Sequence, residues 1–136
     1  MTTLLASYSE AQQSGTTQAR IARGRAATIG LWIAQILSAG MFLFAGSLKI
    51  GGAAEMVKLF AAIGIGQWFR YVTGLIEVTS GLLLLVPSLA FFGAIALMAT
   101  MVGAIATHLF VVGGNPTVPV ALLAMTTLVA WMRRLR

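Results

Sequence analysis

The sequence predicts an all-α integral membrane protein: a bundle of four transmembrane helices, with a short interfacial helix between the first and second spans. Of its 136 residues, 59% are hydrophobic and only 9% are charged, whereas soluble domains carry about 25% charged residues. The mean hydropathy is +0.94. Four apolar stretches, separated by Gly and Pro residues, each come close to the roughly 20 residues that cross a bilayer. Such an apolar surface is stable only where lipid covers it.

The first 27 residues form a polar N-terminal tail that is rich in Ser, Thr, Gln and Gly. Its polarity predicts that it is disordered or lies on the membrane surface. The polar lead is also too long for a cleaved signal peptide, so we expect the tail to be retained. The transmembrane domain then covers residues 28–136.

The first span is predicted at 28–50, with Thr28 as a candidate N-cap. Gly51 and Gly52 are expected to end this helix. Residues 53–62 are amphipathic and too short to cross the bilayer, so they are predicted to lie in the interface.

The other three spans are predicted at 67–86, 88–112 and 116–132. Pro87 forces a tight turn between the second and third spans. Asn115 is a candidate N-cap for the fourth span. With no repeat along the chain, the sequence predicts one membrane domain behind the tail.

Basic residues at the two ends of the chain set the expected orientation. With four spans, both chain ends lie on one side of the membrane. The arginines near these ends lie on that side: Arg20, Arg23, Arg25, Arg133, Arg134 and Arg136. The opposite side carries Lys49, Lys58 and Arg70. The larger number of basic residues on the side that holds the two chain ends predicts that both termini are cytoplasmic. These arginines flank apolar stretches, so their expected partners are lipid headgroups of the bilayer and not nucleic acid.

Residue counts exclude several kinds of redox chemistry within the chain itself. There is no cysteine, which excludes a dithiol relay, an iron–sulfur cluster held by this chain and an internal disulfide. The single histidine cannot supply two axial haem ligands in one protomer. No metal site and no covalently bound cofactor are predicted.

Three ionisable residues inside the predicted spans need explaining and are the candidate catalytic residues: Lys49, Glu77 and His108. Charged groups at membrane depth are costly, and they usually face a bundle interior where they pair with one another. Glu77 lies about ten residues into its span, roughly 15 Å from the outer surface at 1.5 Å per residue. We therefore expect one shared cavity between the midplane and the outer surface.

Polar and small residues that share helix faces with these three are predicted to support the pocket: Arg70, Thr73, Gly74, Ser80, Gly81, Gln35 and Ser38. Structural alternatives stay open for each ionisable residue. Lys49 can extend to the headgroups, and Glu77 can form a purely structural ion pair. His108 can donate to a neighbouring helix, and Arg70 is most simply an interfacial anchor beside Trp68.

At these residues the sequence resembles the DoxX family of small bacterial four-helix membrane proteins. The matching pieces are FLFAGSLKI (42–50), which carries Gly46 and Lys49, and GLIEVTSGLLLL (74–85), which carries Glu77 and Gly81. The His108 region on the third span completes the match, and the polar tail lies outside it. The resemblance implies a location in the bacterial inner membrane and covers about residues 30–132.

The resemblance also implies an association with membrane-bound oxidoreductase complexes, and hence a quinone or another lipid-soluble small molecule as ligand. A redox partner subunit would then supply the electrons, because the chain has no redox motif of its own. Two alternatives stay open. One is a stand-alone enzyme that isomerises or hydrolyses an apolar substrate by acid–base chemistry on Glu77. The other is a structural subunit of a larger complex. A homo-oligomer is compatible with each.

Overall fold

The computed structural model describes residues 1–134, and every regular element in that range is helical. The elements are α1 (Thr2–Gly51), α2 (Ala54–Ile63), α3 (Gln67–Leu84), α4 (Ala90–Thr107), a π-helical turn (His108–Val112) and α5 (Thr117–Arg134). This confirms the all-α class. Arg136, one of the arginines used to predict orientation, lies outside the described residues.

The chain forms two compact units, Met1–Ile33 and Ala34–Arg136, and their boundary falls within α1. Helix α1 already begins at Thr2, so the tail, which was predicted to be disordered or to lie on the membrane surface, is helical. Thr28 is not an N-cap, because its hydroxyl lies inside the helix and donates to the carbonyl of Gly24 at 3.0 Å. The physical reason is composition: the tail has no proline and many Ala, Gln and Arg residues, which are good helix formers.

The predicted breaks after the first span are confirmed. Helix α1 ends at Gly51, and Gly52 follows with a φ of +73°. Gly64 closes α2 with a φ of +79°, and Gly66 precedes α3 with a φ of +113°. These left-handed conformations favour glycine because it has no Cβ.

The predicted cap of the last helix is also confirmed. The side-chain oxygen Oδ1 of Asn115 accepts a hydrogen bond from the backbone N–H of Thr117 at 3.0 Å. This satisfies one of the first-turn N–H groups that a helix leaves unpaired.

Two helical stretches of the described chain are long and apolar enough to cross a membrane, Thr2–Gly51 and Ala90–Val112. A third is added if α2 and α3, which meet at a bend of 117°, count as one broken span. Helices α3 and α5 are 18 residues long, or about 27 Å at 1.5 Å per residue. Their polar residues lower their hydropathy further, so four separate spans do not follow from length and composition alone.

Within the Ala34–Arg136 unit, α4 packs against both α3 and α5, and α2 packs against α3 and the π-helical turn. Gly93 of α4 allows a close approach to α3, because a Cβ there would lie 2.8 Å from the carbonyl oxygen of Ser80. The largest fully buried apolar side chains of this unit are Phe42, Leu84, Leu97 and Val129. Its core therefore lies between α3, α4, α5 and the second half of α1.

Candidate functional site

Two glycines bring the backbones of α1 and α3 together. A Cβ on Gly46 would lie 2.7 Å from Cγ2 of Val78 and 2.8 Å from the carbonyl oxygen of Gly74. Farther along, Gly81 faces Ala39 and Leu43. Later residues of α3 thus meet earlier residues of α1, so the two helices run antiparallel and cross most closely at Gly46 and Gly74. Small residues at such a crossing are typical of helix packing in membranes.

Lys49 and Glu77 form an ion pair across this crossing. Nζ of Lys49 lies 2.7 Å from Oε2 of Glu77, and the side chains are 14% and 3% exposed. Each residue stands three positions after its glycine. Side chains in a helix lean toward the N-terminus of that helix, so on antiparallel helices these two lean toward each other. Lys49 therefore bends into the bundle, which answers the question that the sequence left open.

The ion pair leaves hydrogen-bonding capacity unused. Among residues 1–134, Glu77 accepts only the Lys49 ammonium, through Oε2, and its other oxygen, Oε1, accepts no hydrogen bond. The ammonium of Lys49 carries three N–H groups, and Glu77 is its one hydrogen-bond partner in the same range. A buried pair thus presents both a donor and an acceptor to a third group.

Arg70 is buried and is not the interfacial anchor that its place beside Trp68 suggested. Its guanidinium Nη1 donates to the backbone carbonyl of Lys49, and its Nε donates to Oε1 of Gln67 at 2.8 Å. The side-chain amide of Gln67 donates in turn to the carbonyl of Val57 on α2 at 3.0 Å. Because the C-terminal carbonyls of a helix are unpaired and carry partial negative charge, Arg70 caps α1 and ties it to α2 and α3.

The residues around Glu77 on α3 lie on the buried face, as their spacing predicts. Gly74, Ser80 and Gly81 are buried together with Arg70 and Glu77. Thr73 is partly buried, and its hydroxyl donates back to the carbonyls of Phe69 and Arg70 at 3.0 and 3.1 Å. Thr73 is therefore occupied within its own helix, while the small residues make room for α1.

Gln35 and Ser38 are buried on the same face of α1 as Lys49, but the structure does not bring Gln35 to the ion pair. Gln35 precedes Lys49 by 14 positions, or about 21 Å along the helix axis. It donates to the carbonyl of Leu84, the last residue of α3, at 2.5 Å. The hydroxyl of Ser38 is buried without a hydrogen-bond partner in the described chain. The predicted supporting pocket is thus divided into two polar clusters.

Arg133 completes the second cluster and was not predicted as a buried contact. Its guanidinium Nε donates to Oε1 of Gln35 at 2.9 Å, which joins α5 to α1. The spacing of the buried residues on α5 could have predicted that Arg133 faces the neighbouring helices. Leu122, Thr126 and Val129 are buried, and Arg133 continues their four–three–four spacing on the same helix face.

His108 lies at the start of the π-helical turn and is partly buried. Its Nδ1 lies 2.8 Å from the carbonyl oxygen of Ala104, one turn earlier on its own helix. The expected hydrogen bond therefore stays within one helix and does not reach a neighbour. Within residues 1–134, no hydrogen bond or ion pair joins His108 to Lys49 or Glu77.

The Lys49–Glu77 pair and the residues around it lie within the range that a family model matches. The model of the DoxX-like family matches residues 33–131. The chain belongs to the DoxX-like family. This confirms the resemblance seen in the sequence, and the match includes Lys49, Glu77 and His108 while the whole N-terminal tail lies outside it. No curated protein and no solved structure matches the chain. Together with the apolar helices, the family makes this a membrane protein.

Proposed function

We propose that this DoxX-like protein crosses the bacterial inner membrane four times, by residues 28–50, by α3, by α4 with its π-helical turn, and by α5. In this arrangement α2 lies in the outer interface, and both termini are cytoplasmic. The buried face of α3 supports the proposal: polar residues there contact α1 while Leu75, Ile76 and Leu82 are exposed. A helix with one polar face has only a moderate mean hydropathy, yet its other face presents apolar side chains to lipid.

We further propose that the protein binds a quinone or another lipid-soluble small molecule at the Lys49–Glu77 pair, as a membrane subunit of a redox complex. The observation that carries the proposal is the ion pair between antiparallel helices with its unused donors and its unbonded carboxylate oxygen. Ionisable groups inside membrane spans are rare, and they commonly mark ligand or proton pathways.

The residues at the pair fit a quinone. A quinone presents carbonyl oxygens, which only accept hydrogen bonds, and Lys49 has N–H groups that no described residue accepts. When bound, the quinone supplies the redox chemistry. Lys49 would orient a carbonyl oxygen, and Glu77 would hold a proton close to it. Electrons would come from a partner protein, because the chain has no cysteine for a dithiol or an iron–sulfur cluster and only one histidine as a haem ligand.

A structural role is the second candidate, and one observation favours it. Lys49 contacts Glu77 directly, and Arg70 caps the end of α1 in the same region. Such contacts fix the register of two helices without any ligand. The two candidates differ in whether a third molecule binds.

Equilibrium binding in lipid nanodiscs tests the proposal, with a decyl-tailed benzoquinone as the probe. Lys49→Met is expected to weaken binding at least tenfold, which corresponds to about 1.4 kcal/mol. Lys58→Met is the matched control, because Lys58 is exposed on α2 and makes no ion pair within residues 1–134. Saturable binding that both variants retain would refute the ion pair as the site. If the probe does not bind at all, the structural role is favoured.

A further inference from the structure

The tautomer of His108 follows from its hydrogen bond. Nδ1 lies 2.8 Å from the backbone carbonyl of Ala104, and a carbonyl oxygen can only accept. Nδ1 therefore bears a proton. In the neutral ring the other nitrogen, Nε2, then carries a lone pair and acts as an acceptor.

Nε2 has no donor within the described chain. No group of residues 1–134 donates a hydrogen bond to it, and no carboxylate in that range pairs with the ring. The chain buries the ring only in part, and in a bilayer a polar atom without a partner costs free energy. The lone pair of Nε2 is thus the unused hydrogen-bonding capacity of this residue.

Gly114 lies beside the edge of the His108 ring that carries Nε2. The ring stands where α4 widens into the π-helical turn, a feature that is frequent at functional sites. The carbonyl of His108 accepts the N–H of Gly114 at 3.1 Å, which folds the chain back over the turn. A Cβ on Gly114 would lie 3.3 Å from Cδ2, the ring atom bonded to Nε2. A larger residue at position 114 would therefore crowd that edge of the ring.

We propose that Nε2 of His108 accepts a hydrogen bond from the lipid-soluble ligand, and that this ligand therefore carries a hydroxyl or N–H donor. The inference rests on the proposed function and specifies the chemistry of the ligand. A quinone has only acceptors, so the neutral ring does not bond it through Nε2. The hydroquinone form has hydroxyl donors and fits. His108 thus selects the reduced form of a quinone, or another apolar molecule with a donor group.

The chain has one histidine, so 15N-histidine labelling reports on this site alone. In nanodiscs without ligand, the 15N spectrum is expected to show a protonated Nδ1 and an unprotonated Nε2. Addition of a decyl-tailed hydroquinone is expected to shift the Nε2 resonance, and the shift should saturate. The matched dimethyl ether of the same molecule has no donor and is expected to cause no shift. Protonation on Nε2 in the free protein would overturn the inference.

A pair of glycine variants gives a second measurement. Gly114→Val is expected to lower hydroquinone affinity at least tenfold, because the added methyl groups meet the ring edge. Gly103→Val is the control, since a Cβ at Gly103 meets nothing within 4 Å. If the hydroquinone binds in a Lys49-dependent way and leaves Nε2 unshifted, His108 is not the acceptor while the proposed function stands. If neither the quinone nor the hydroquinone binds, both proposals fail.

Discussion

At the scale of single residues, the main finding is the ion pair between Lys49 and Glu77. Glu77 is 3% exposed, and its one partner within residues 1–134 is the ammonium 2.7 Å away. A buried charge that loses its partner stays desolvated without compensation. Replacement of either Lys49 or Glu77 alone is therefore expected to lower the free energy of unfolding.

Removal of one charge should destabilise the protein more than removal of both. Lys49→Met is expected to lower the free energy of unfolding by about 3 kcal/mol, because it leaves the Glu77 carboxylate unpaired. The double variant Lys49→Met with Glu77→Leu should recover most of that loss. Unfolding titrations in mixed micelles, followed by tryptophan fluorescence, measure both effects. Losses that simply add across Lys49→Met, Glu77→Leu and the double variant would show that the two residues do not interact.

Arg70 gives a second prediction at this scale. Arg70→Leu removes the cap on the carbonyl of Lys49 and the contact with Gln67. The expected cost is about 1.5–3 kcal/mol, the range for hydrogen bonds to a charged group. Arg134→Leu is the control, because Arg134 is exposed at the end of α5. The same unfolding titration reads out both, and equal stability of the two variants would contradict the capping role.

Most of the polar residues could be predicted from sequence, but their partners could not. The spacing of Arg70, Gly74, Glu77 and Gly81 identifies one helix face, and that face is buried. Whether Lys49 reaches the headgroups or Glu77 depends on the direction and offset of two helices, which spacing within one helix does not contain. For the same reason Gln35 was grouped with the ion pair, although it bonds the opposite end of α3.

At the scale of helices, the closest packing depends on glycines rather than on large side chains. Gly46 and Gly74 let α1 and α3 approach, and Gly93 does the same for α3 and α4. In Gly46-x-x-Lys49 and Gly74-x-x-Glu77, the glycine is the point where the two helices touch, and the ionisable residue follows it by three positions. The sequence predicted that Gly74 lies on the inward face of its helix, and the structure adds which glycine faces which helix.

A methyl group at this crossing should separate the helices. Gly46→Ala is expected to cost about 1–3 kcal/mol, because the new Cβ would meet the backbone of Gly74 as well as Val78. Gly40→Ala is the control on the same helix, since a Cβ there meets nothing within 4 Å. Apparent melting temperatures from circular dichroism compare the two. No difference between them would argue against a close approach at Gly46.

At the scale of the whole molecule, the number of spans is the main structural proposal. Polar residues that face neighbouring helices lower the hydropathy of α3 and α5, so composition identifies α4 more readily than either. The absence of cysteine makes the topology easy to test, because every introduced cysteine is the sole thiol.

Single cysteines should be labelled from opposite sides of the membrane. Ile65→Cys, in the exposed turn between α2 and α3, should react with an impermeant maleimide added to intact cells. Ser14→Cys and Ser88→Cys should react only after the membrane is permeabilised. Labelling of Ser88→Cys in intact cells would contradict four spans with cytoplasmic termini.

Photo-crosslinking in nanodiscs shows whether a ligand binds at the Lys49–Glu77 pair. The probe is a benzoquinone whose tail carries a diazirine next to the ring, and mass spectrometry locates the adducts. If the pair is the site, adducts are expected within residues 45–50 and 73–78, and unlabelled decyl-benzoquinone should compete with the probe. Adducts confined to the exposed face of α4 around Phe92 and Ile95, with no competition, would contradict it.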